Sequence, residues 1–485
     1  MHEYLKMWRF RQHMQNREKL YINGKWVIPD GKAKIEIINP TNEENIGYVP
    51  AGSKNDIDMA VESAKQAFKE WSKSSIVKRM EILNSLSSAI KERGEELAQA
   101  ITSEVGTPIG YSRTAMVGTP RVVSRSYSKI LENFEWSEEV RNSLIIREGI
   151  GVCAFITPWN FPLHQIIGKV APAIAAGCTM ILKPSKEAPI SAFILAEILH
   201  DIGLPAGVFN LVSGHGSEIG EYLSSHPDVD MVSFTGSTNA GVAVSHAAAK
   251  SVKRVTLELG GKSANVILDD AEPELVAKRA LSACHQNNGQ TCSALTRLII
   301  PEHMKEEICK IIADKNDSYT VGDPLDESIR CGPMVSKKQQ ESVTKYIETG
   351  INEGASLISG GLGMPINIDK GFFVKPTIFA DVTPKMKIWK EEIFGPVLVI
   401  ATYDNENEAL FLANDSIYGL SGGVWSDSEE RAIEFAKGMR TGQISINGGF
   451  FNVDAPFGGY KESGNGRELG LHGLYEFLEI KSIQK

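Results

Sequence analysis

The chain has 485 residues, 42% hydrophobic and 23% charged, an ordinary globular composition with length for about three domains and large buried cores. Lys and Arg number 51 against 60 Asp and Glu, so the net charge of -9 offers no overall positive field to phosphate backbones or anionic lipid, and neither nucleic acid nor a membrane is an expected partner. Cysteines 153, 178, 284, 292, 309 and 331 form no CxxC pair and no cluster with histidine; they read as reduced thiols in a cytoplasmic chain with no metal site.

In chain order, residues 1–19 carry Arg9, Arg11 and Arg17 without an apolar core or cleavage site, which predicts a loose leader rather than a secretory signal; Met14 could equally begin the chain. A short hairpin is expected at Asn23-Gly24. The rest of the first 120 or so residues reads as helical, from Ile57, Ala60, Val61, Ala64, Phe68 and Trp71 and then Met80, Leu83, Leu86 and Ile90. The longest apolar stretch, Val170 to Leu182, contains Pro172 and is shorter than the ~20 residues a membrane span needs. Ser143 to Arg147 and Phe477 to Ile483 alternate, and should pair in a small sheet that gains a core only between subunits.

Beyond Gly151 short β-rich runs alternate with helical ones: Val152 to Thr157, Thr179 to Lys183, Val208 to Ser213, Met231 to Thr235, Arg254 to Glu258 and Ala264 to Leu268. That texture predicts βαβ units and a parallel sheet. A second α/β pattern follows Cys292, with runs at Arg297 to Ile300, Pro396 to Tyr403, Ser421 to Trp425 and Gln443 to Asn447. Five polar or glycine-rich turns each follow a run: Thr157 to Asn160, Lys183 to Ser185, Gly214 to Gly216, Thr235 to Ser237 and Glu258 to Gly261. Ligands bind at strand C-terminal ends in open α/β sheets, so one crevice lined by all five is expected.

Within that crevice Phe234 to Gly241 is a GxTxxG variant of a dinucleotide turn, with glycines for close backbone approach and helix N–H groups for a pyrophosphate. Lys183 could donate to ribose hydroxyls, or be a solvated charge. Cys292 lies in the polar stretch Asn287 to Ser293 and is the best nucleophile candidate, against an inert buried thiol; Cys153 and Cys178 read as core. Glu258 could activate water if desolvated, or pair with Lys262. Asn160 could hold a developing oxyanion together with the cysteine loop's N–H, or simply serve the turn. His164 is expected to pack on its helix.

Taken together, TPWNFP at 157–162, KPS at 183–185, FTGS at 234–237, ELGGKS at 258–263, GQTC at 289–292, EEIFGPV at 391–397 and PFGGYKESGNGRE at 456–468 closely resemble the aldehyde dehydrogenase superfamily, from about Tyr21 to the C-terminus. The resemblance implies an α/β fold with a Rossmann-like cofactor domain (20–126 and 149–259), a catalytic domain (260–458) and a β oligomerisation arm (127–148 and 470–485) in a homodimer or homotetramer. It implies oxidation of an aldehyde to the acid with NAD or NADP: Cys292 as nucleophile, Asn160 on the oxyanion, Glu258 activating the water that hydrolyses a thioester, and Lys169 and Glu468 relaying protons. The presence of Glu258 favours the hydrolytic over the CoA-acylating branch. Cofactor contacts would come from Ile156, Thr157, Trp159, Lys183, Lys186, Gly216, Gly220, Gly236, Ser237, Leu259, Glu392 and Phe394. NAD-selective members often carry Glu where this chain has Lys186, with Glu187 adjacent, which leaves NAD against NADP open. Trp159, Phe161, Phe451 and Phe457 would line an aromatic tunnel for an apolar or medium-chain aldehyde, with no basic residue in those stretches to favour a carboxylate. A cysteine-dependent esterase or acyl transferase, and a non-catalytic relative, are the alternatives; a nucleotide response separates them.

Overall fold

The computed structural model describes residues 16–485, so the first 15 residues of the expected leader lie outside the described residues. The remainder of that leader is fastened, not loose. The Arg17 N–H donates to the Tyr48 carbonyl at 2.8 Å, and its guanidinium meets Glu197 at 2.5 Å.

The expected hairpin forms between Leu20–Ile22 and Lys25–Val27, turning on Asn23 and Gly24 with φ of 53° and 71°. A second hairpin, Lys34–Asn39 with Glu44–Pro50, corrects the helical reading of this region: Ile35 and Ile37 alternate inward with period two. Helices begin at Lys54–Trp71, where Ser53 and Asp56 form a reciprocal capping box.

Five parallel strands form the centre of an eight-stranded sheet, in the spatial order Phe209–Leu211, Thr179–Lys183, Val152–Ile156, Met231–Thr235, Arg254–Glu258. The chain steps outward from Val152–Ile156 in one direction, then resumes on its other side with Met231–Thr235. Strand order therefore reverses between those two, and the turns after Ile156 and Thr235 flank the switch point where such a sheet takes ligands. The hairpin covers one edge of the sheet, and Gly464–Asn465 pairs antiparallel with the other.

A seven-stranded sheet follows, ordered Ser356–Ser359, Thr377–Ala380, Val397–Tyr403, Arg297–Pro301, Ala264–Ile267, Ser421–Trp425, Gln443–Ile446. Its first two strands were absent from the periodicity reading. Ala264–Ile267, which continues the first series of runs in sequence, pairs here instead, between Arg297–Pro301 and Ser421–Trp425.

Leu478–Gln484 pairs antiparallel with Ser143–Gly149 along its whole length, and Ser137–Val140 adds a third strand. Ile480 is 66% exposed, so this sheet has no core of its own in one copy of the chain. The helix Thr119–Glu132 runs through residue 127, where the arm was expected to start, and Gly470–Tyr475 is helical rather than strand. Among the described residues no helix is long and apolar enough to cross a membrane.

Candidate active site

Cys292 lies on the loop between the helix Pro273–His285 and the strand Arg297–Pro301. Asn287, Asn288 and Gly289 all take left-handed backbone, with φ of 49°, 60° and 74°, which Asn and Gly adopt at least cost. A Cβ on Gly289 would stand 2.1 Å from the Gly395 carbonyl carbon, so only glycine fits that approach. Side-chain amides brace the loop. Asn288 Nδ2 donates to the Gly106 and Pro333 carbonyls at 2.9 and 3.0 Å, and Gln290 Oε1 accepts from the Val335 N–H at 2.9 Å. Asn287 accepts from Thr107 at 2.6 Å and donates to the Asn160 carbonyl at 2.8 Å. In return Asn160 Nδ2 donates to the Gln290 carbonyl at 3.1 Å, which fixes its amide two residues ahead of the cysteine. The polar composition around Cys292 is thus mostly scaffolding. Burial, with Glu392 and Glu258 nearby, pushes the Cys292 thiol up to about 12, so it rests protonated and needs a base.

Glu258 ends the last parallel strand of the first sheet, 5% exposed, with Oε2 lacking a hydrogen-bond partner. Burial, and then the Glu468 charge, raise its carboxyl well above the ordinary carboxylate range, while Lys169 and Arg467 oppose this. The alternative pairing with Lys262 does not form: Lys262 Nζ is itself buried without a partner, and burial lowers it to about 7. Gly458 at φ 155° lets the backbone lie against the Glu258 carboxylate, where a Cβ would come within 2.8 Å of Oε1. Lys169, fully buried on the helix Pro162–Ala176, donates to Thr235 Oγ1 at 2.7 Å and to Glu468. Glu468 is in turn locked to Phe457 by two backbone hydrogen bonds of 2.7 Å.

On the other side of the crevice, Thr157 Oγ1 is buried and unpartnered at the end of Val152–Ile156, next to buried Ile156. Lys183 is buried, not solvated; its ammonium reaches only its neighbour's carbonyl, Pro184, at 2.9 Å, and desolvation lowers it to about 8. Ser237 caps the twelve-residue helix Thr238–Ala249, whose N-terminus faces the switch point. A Cβ on Gly236 would meet the Phe234 ring at 2.5 Å and one on Gly241 would meet the Leu259 side chain at 2.7 Å, so either side chain would have to shift to admit it. Gly216 borders open space and Gly220 lies on the Lys183 stem. Glu392 accepts from the Gly261 N–H at 3.1 Å, and burial raises it to about 7. Trp159 packs edge-on against Phe394 at 5.4 Å, so its ring belongs with the Glu392 segment and not among the residues lining the cavity described next. Lys186 is half exposed and pairs with Glu187 at 2.8 Å. Unpartnered hydroxyl, underused ammonium and helix N-terminus together suit the ribose and pyrophosphate of a dinucleotide.

A cavity of about 730 Å³ opens over Cys292, lined by Phe161, Phe451, Phe457 and Glu468 among others. His164 also lines it, contrary to the expectation that it packs away; Phe161 and Phe451 flank its ring at 6.3 and 6.2 Å, and burial lowers it to about 4, leaving it neutral. Sequence reasoning missed Tyr111, Arg279 and Gln286 on this wall, because they come from helical stretches with no motif. It also missed Gly458 as a contact of Glu258, although the Gly-Gly pair after Phe457 was a signal for close backbone approach.

A parallel sheet with a dinucleotide-ready switch point, facing a partly buried thiol with a desolvated carboxylate nearby, suits a nicotinamide-dependent oxidoreductase that works through a cysteine. Residues 26–483 match the profile described as "Aldehyde dehydrogenase family". The chain is 48% identical to 3-succinoylsemialdehyde-pyridine dehydrogenase of a Pseudomonas species, over 97% of this chain and 99% of that one. It superposes on aldehyde dehydrogenase C of Pseudomonas syringae, crystallised with NAD+ and octanal, with TM-score 0.96, 45% identity and 97% of each chain covered. The aldehyde dehydrogenase of Mycobacterium tuberculosis in complex with NAD+ matches with TM-score 0.95 and 39% identity, over 97% of this chain and 98% of that one. The chain belongs to the aldehyde dehydrogenase family and is an enzyme that oxidises aldehydes with a nicotinamide cofactor.

Proposed function

We propose that 20–126 with 149–259 bind the cofactor, that 260–458 supplies the nucleophile, and that 127–148 with 470–485 form an oligomerisation arm in a homodimer or homotetramer. The Cys292 sulfur attacks the aldehyde carbon as its proton leaves toward Glu258. The carbonyl oxygen becomes an oxyanion, met by Asn160 Nδ2 and the Cys292 N–H. Thr157, Lys183, Ser237 and Glu392 would hold NAD(P)+, which when bound would supply the acceptor for the hydride that leaves that carbon. The thioester left on Cys292 is cleaved by a water whose proton goes to Glu258, with Lys169 and Glu468 passing it toward the cavity.

The observation that carries this reading is the unpartnered, desolvated Glu258 carboxylate, near enough to the Cys292 thiol for its charge to raise it. The aromatic wall supports an apolar or medium-chain aldehyde, in keeping with octanal in the Pseudomonas syringae enzyme. NAD+ is the working cofactor, since Glu187 already takes the Lys186 charge that a 2'-phosphate would need. The six free thiols support a cytoplasmic location. An aldehyde panel run with NAD+ and with NADP+, read by the absorbance of reduced nicotinamide, tests class, cofactor and chain length together; silence across the panel overturns the reading.

A further inference from the structure

The aldehyde cavity is not uniformly apolar along its length. On the helix Pro273–His285 the residues Arg279, Ser282 and Ala283, followed by Gln286 at the helix end, stand at spacings of three, four and seven, and all line the cavity. This stripe runs about 10 Å along the helix axis, from Arg279 toward the loop that carries Cys292. Its inner end is Gln286, and its outer end is an exposed guanidinium.

Arg279 has no ion-pair or hydrogen-bond partner among the described residues. On its own helix the positions three and four away are Leu275, Val276, Ser282 and Ala283, so no carboxylate is in reach there. Glu468 is the acidic side chain lining the cavity, and Lys169 already holds it. His164, the other basic residue of the wall, is neutral. A single uncommitted cation therefore stands at the outer end of an aromatic-walled cavity whose inner end carries the nucleophile.

We propose that Arg279 is a specificity-determining residue that pairs with an anionic group at the far end of the aldehyde chain, so that oxo carboxylic acids are substrates alongside apolar aldehydes. This rests on the aldehyde-oxidising reading above and extends its substrate class. The planar guanidinium suits a carboxylate, and the aromatic side chains lining the cavity that Arg279 shares with Cys292 accommodate the methylene chain.

The test compares a medium-chain oxo carboxylic acid with the apolar aldehyde of the same chain length, using wild type, Arg279→Gln and Arg279→Lys. These substitutions sit on an exposed helix position and retain helix-forming side chains, so folding is preserved. Arg279→Gln should lower kcat/KM for the oxo acid about fivefold, carried by KM, with the apolar aldehyde unchanged. Arg279→Lys should restore most of the loss, and added salt should shrink the wild-type preference over Arg279→Gln. Equal effects on both substrates, or none on either, overturn the assignment. If wild type oxidises neither aldehyde, the activity reading itself has failed, which is a different result.

Discussion

The two walls of the crevice are built by different means. On the cofactor side, Thr157, Lys183 and Ser237 each sit at or just past the end of a parallel strand, and the sheet's hydrogen bonds set their spacing. On the substrate side, Cys292 stands on a left-handed loop held by amide side chains, and the cavity wall is assembled from helix, loop and second-sheet residues hundreds of positions apart, from Tyr111 to Glu468. A regular sheet positions residues by local pairing, whereas the substrate wall depends on many individual long-range contacts. The cofactor wall should therefore tolerate local change, and the substrate wall should not.

The largest test removes the chemistry from one wall and leaves the other intact. Cys292→Ala should cut turnover by roughly 10⁴-fold or more while NAD+ binding, followed by calorimetry, stays near wild type. Glu258→Gln should lower steady-state turnover by about 10²- to 10⁴-fold and remove most of the burst of reduced nicotinamide, because Glu258 takes the thiol proton before it takes that of the hydrolytic water. A full burst of about one equivalent would confine Glu258 to the second half-reaction.

Stability distinguishes the walls directly. In Gly289→Ala the new methyl meets Gly395 backbone at a positive φ, and about 2 kcal/mol or more should be lost in thermal or denaturant unfolding. Gly236→Ala meets only the rotatable Phe234 ring and should cost less. Equal losses would remove the contrast.

The pH profile reads the group between the walls. Glu258 acts as a base only when ionised, so turnover should fall as pH drops through its raised pKa, on a limb above the ordinary carboxylate range of about 4. Lys169 favours the ionised form; Lys169→Met should raise that pKa further and move the limb to higher pH by about one unit. A limb that stays in place would take Lys169 out of the relay. The smallest effect belongs to the cofactor rim, where Glu187→Gln frees Lys186 and should shift the NADP+ to NAD+ ratio of kcat/KM upward about threefold.

Legibility followed the same division. Strands Thr179–Lys183, Met231–Thr235, Arg254–Glu258 and Ser421–Trp425 were readable to the residue, since buried parallel strands are short apolar runs bounded by turn residues. The hairpin of Lys34–Asn39 with Glu44–Pro50 and the strands at Ser356 and Thr377 were not, being segments too short or too polar to stand out as an apolar run. Trp159, expected among both the cofactor contacts and the aldehyde tunnel, packs against Phe394.

The sequence alone determined the α/β class and the turns at the strand ends, and through its family motifs it singled out Cys292 and Glu258 as the thiol and carboxylate proposed to react, because each is written in a local motif or a short period. Only the tertiary structure decided that the Glu258 carboxylate has no partner, that Asn287 to Gln290 are braces, and that Arg279 and His164 face the cavity. Those properties depend on which side chains from distant segments arrive at one place and on how much water they exclude, and no local pattern encodes either.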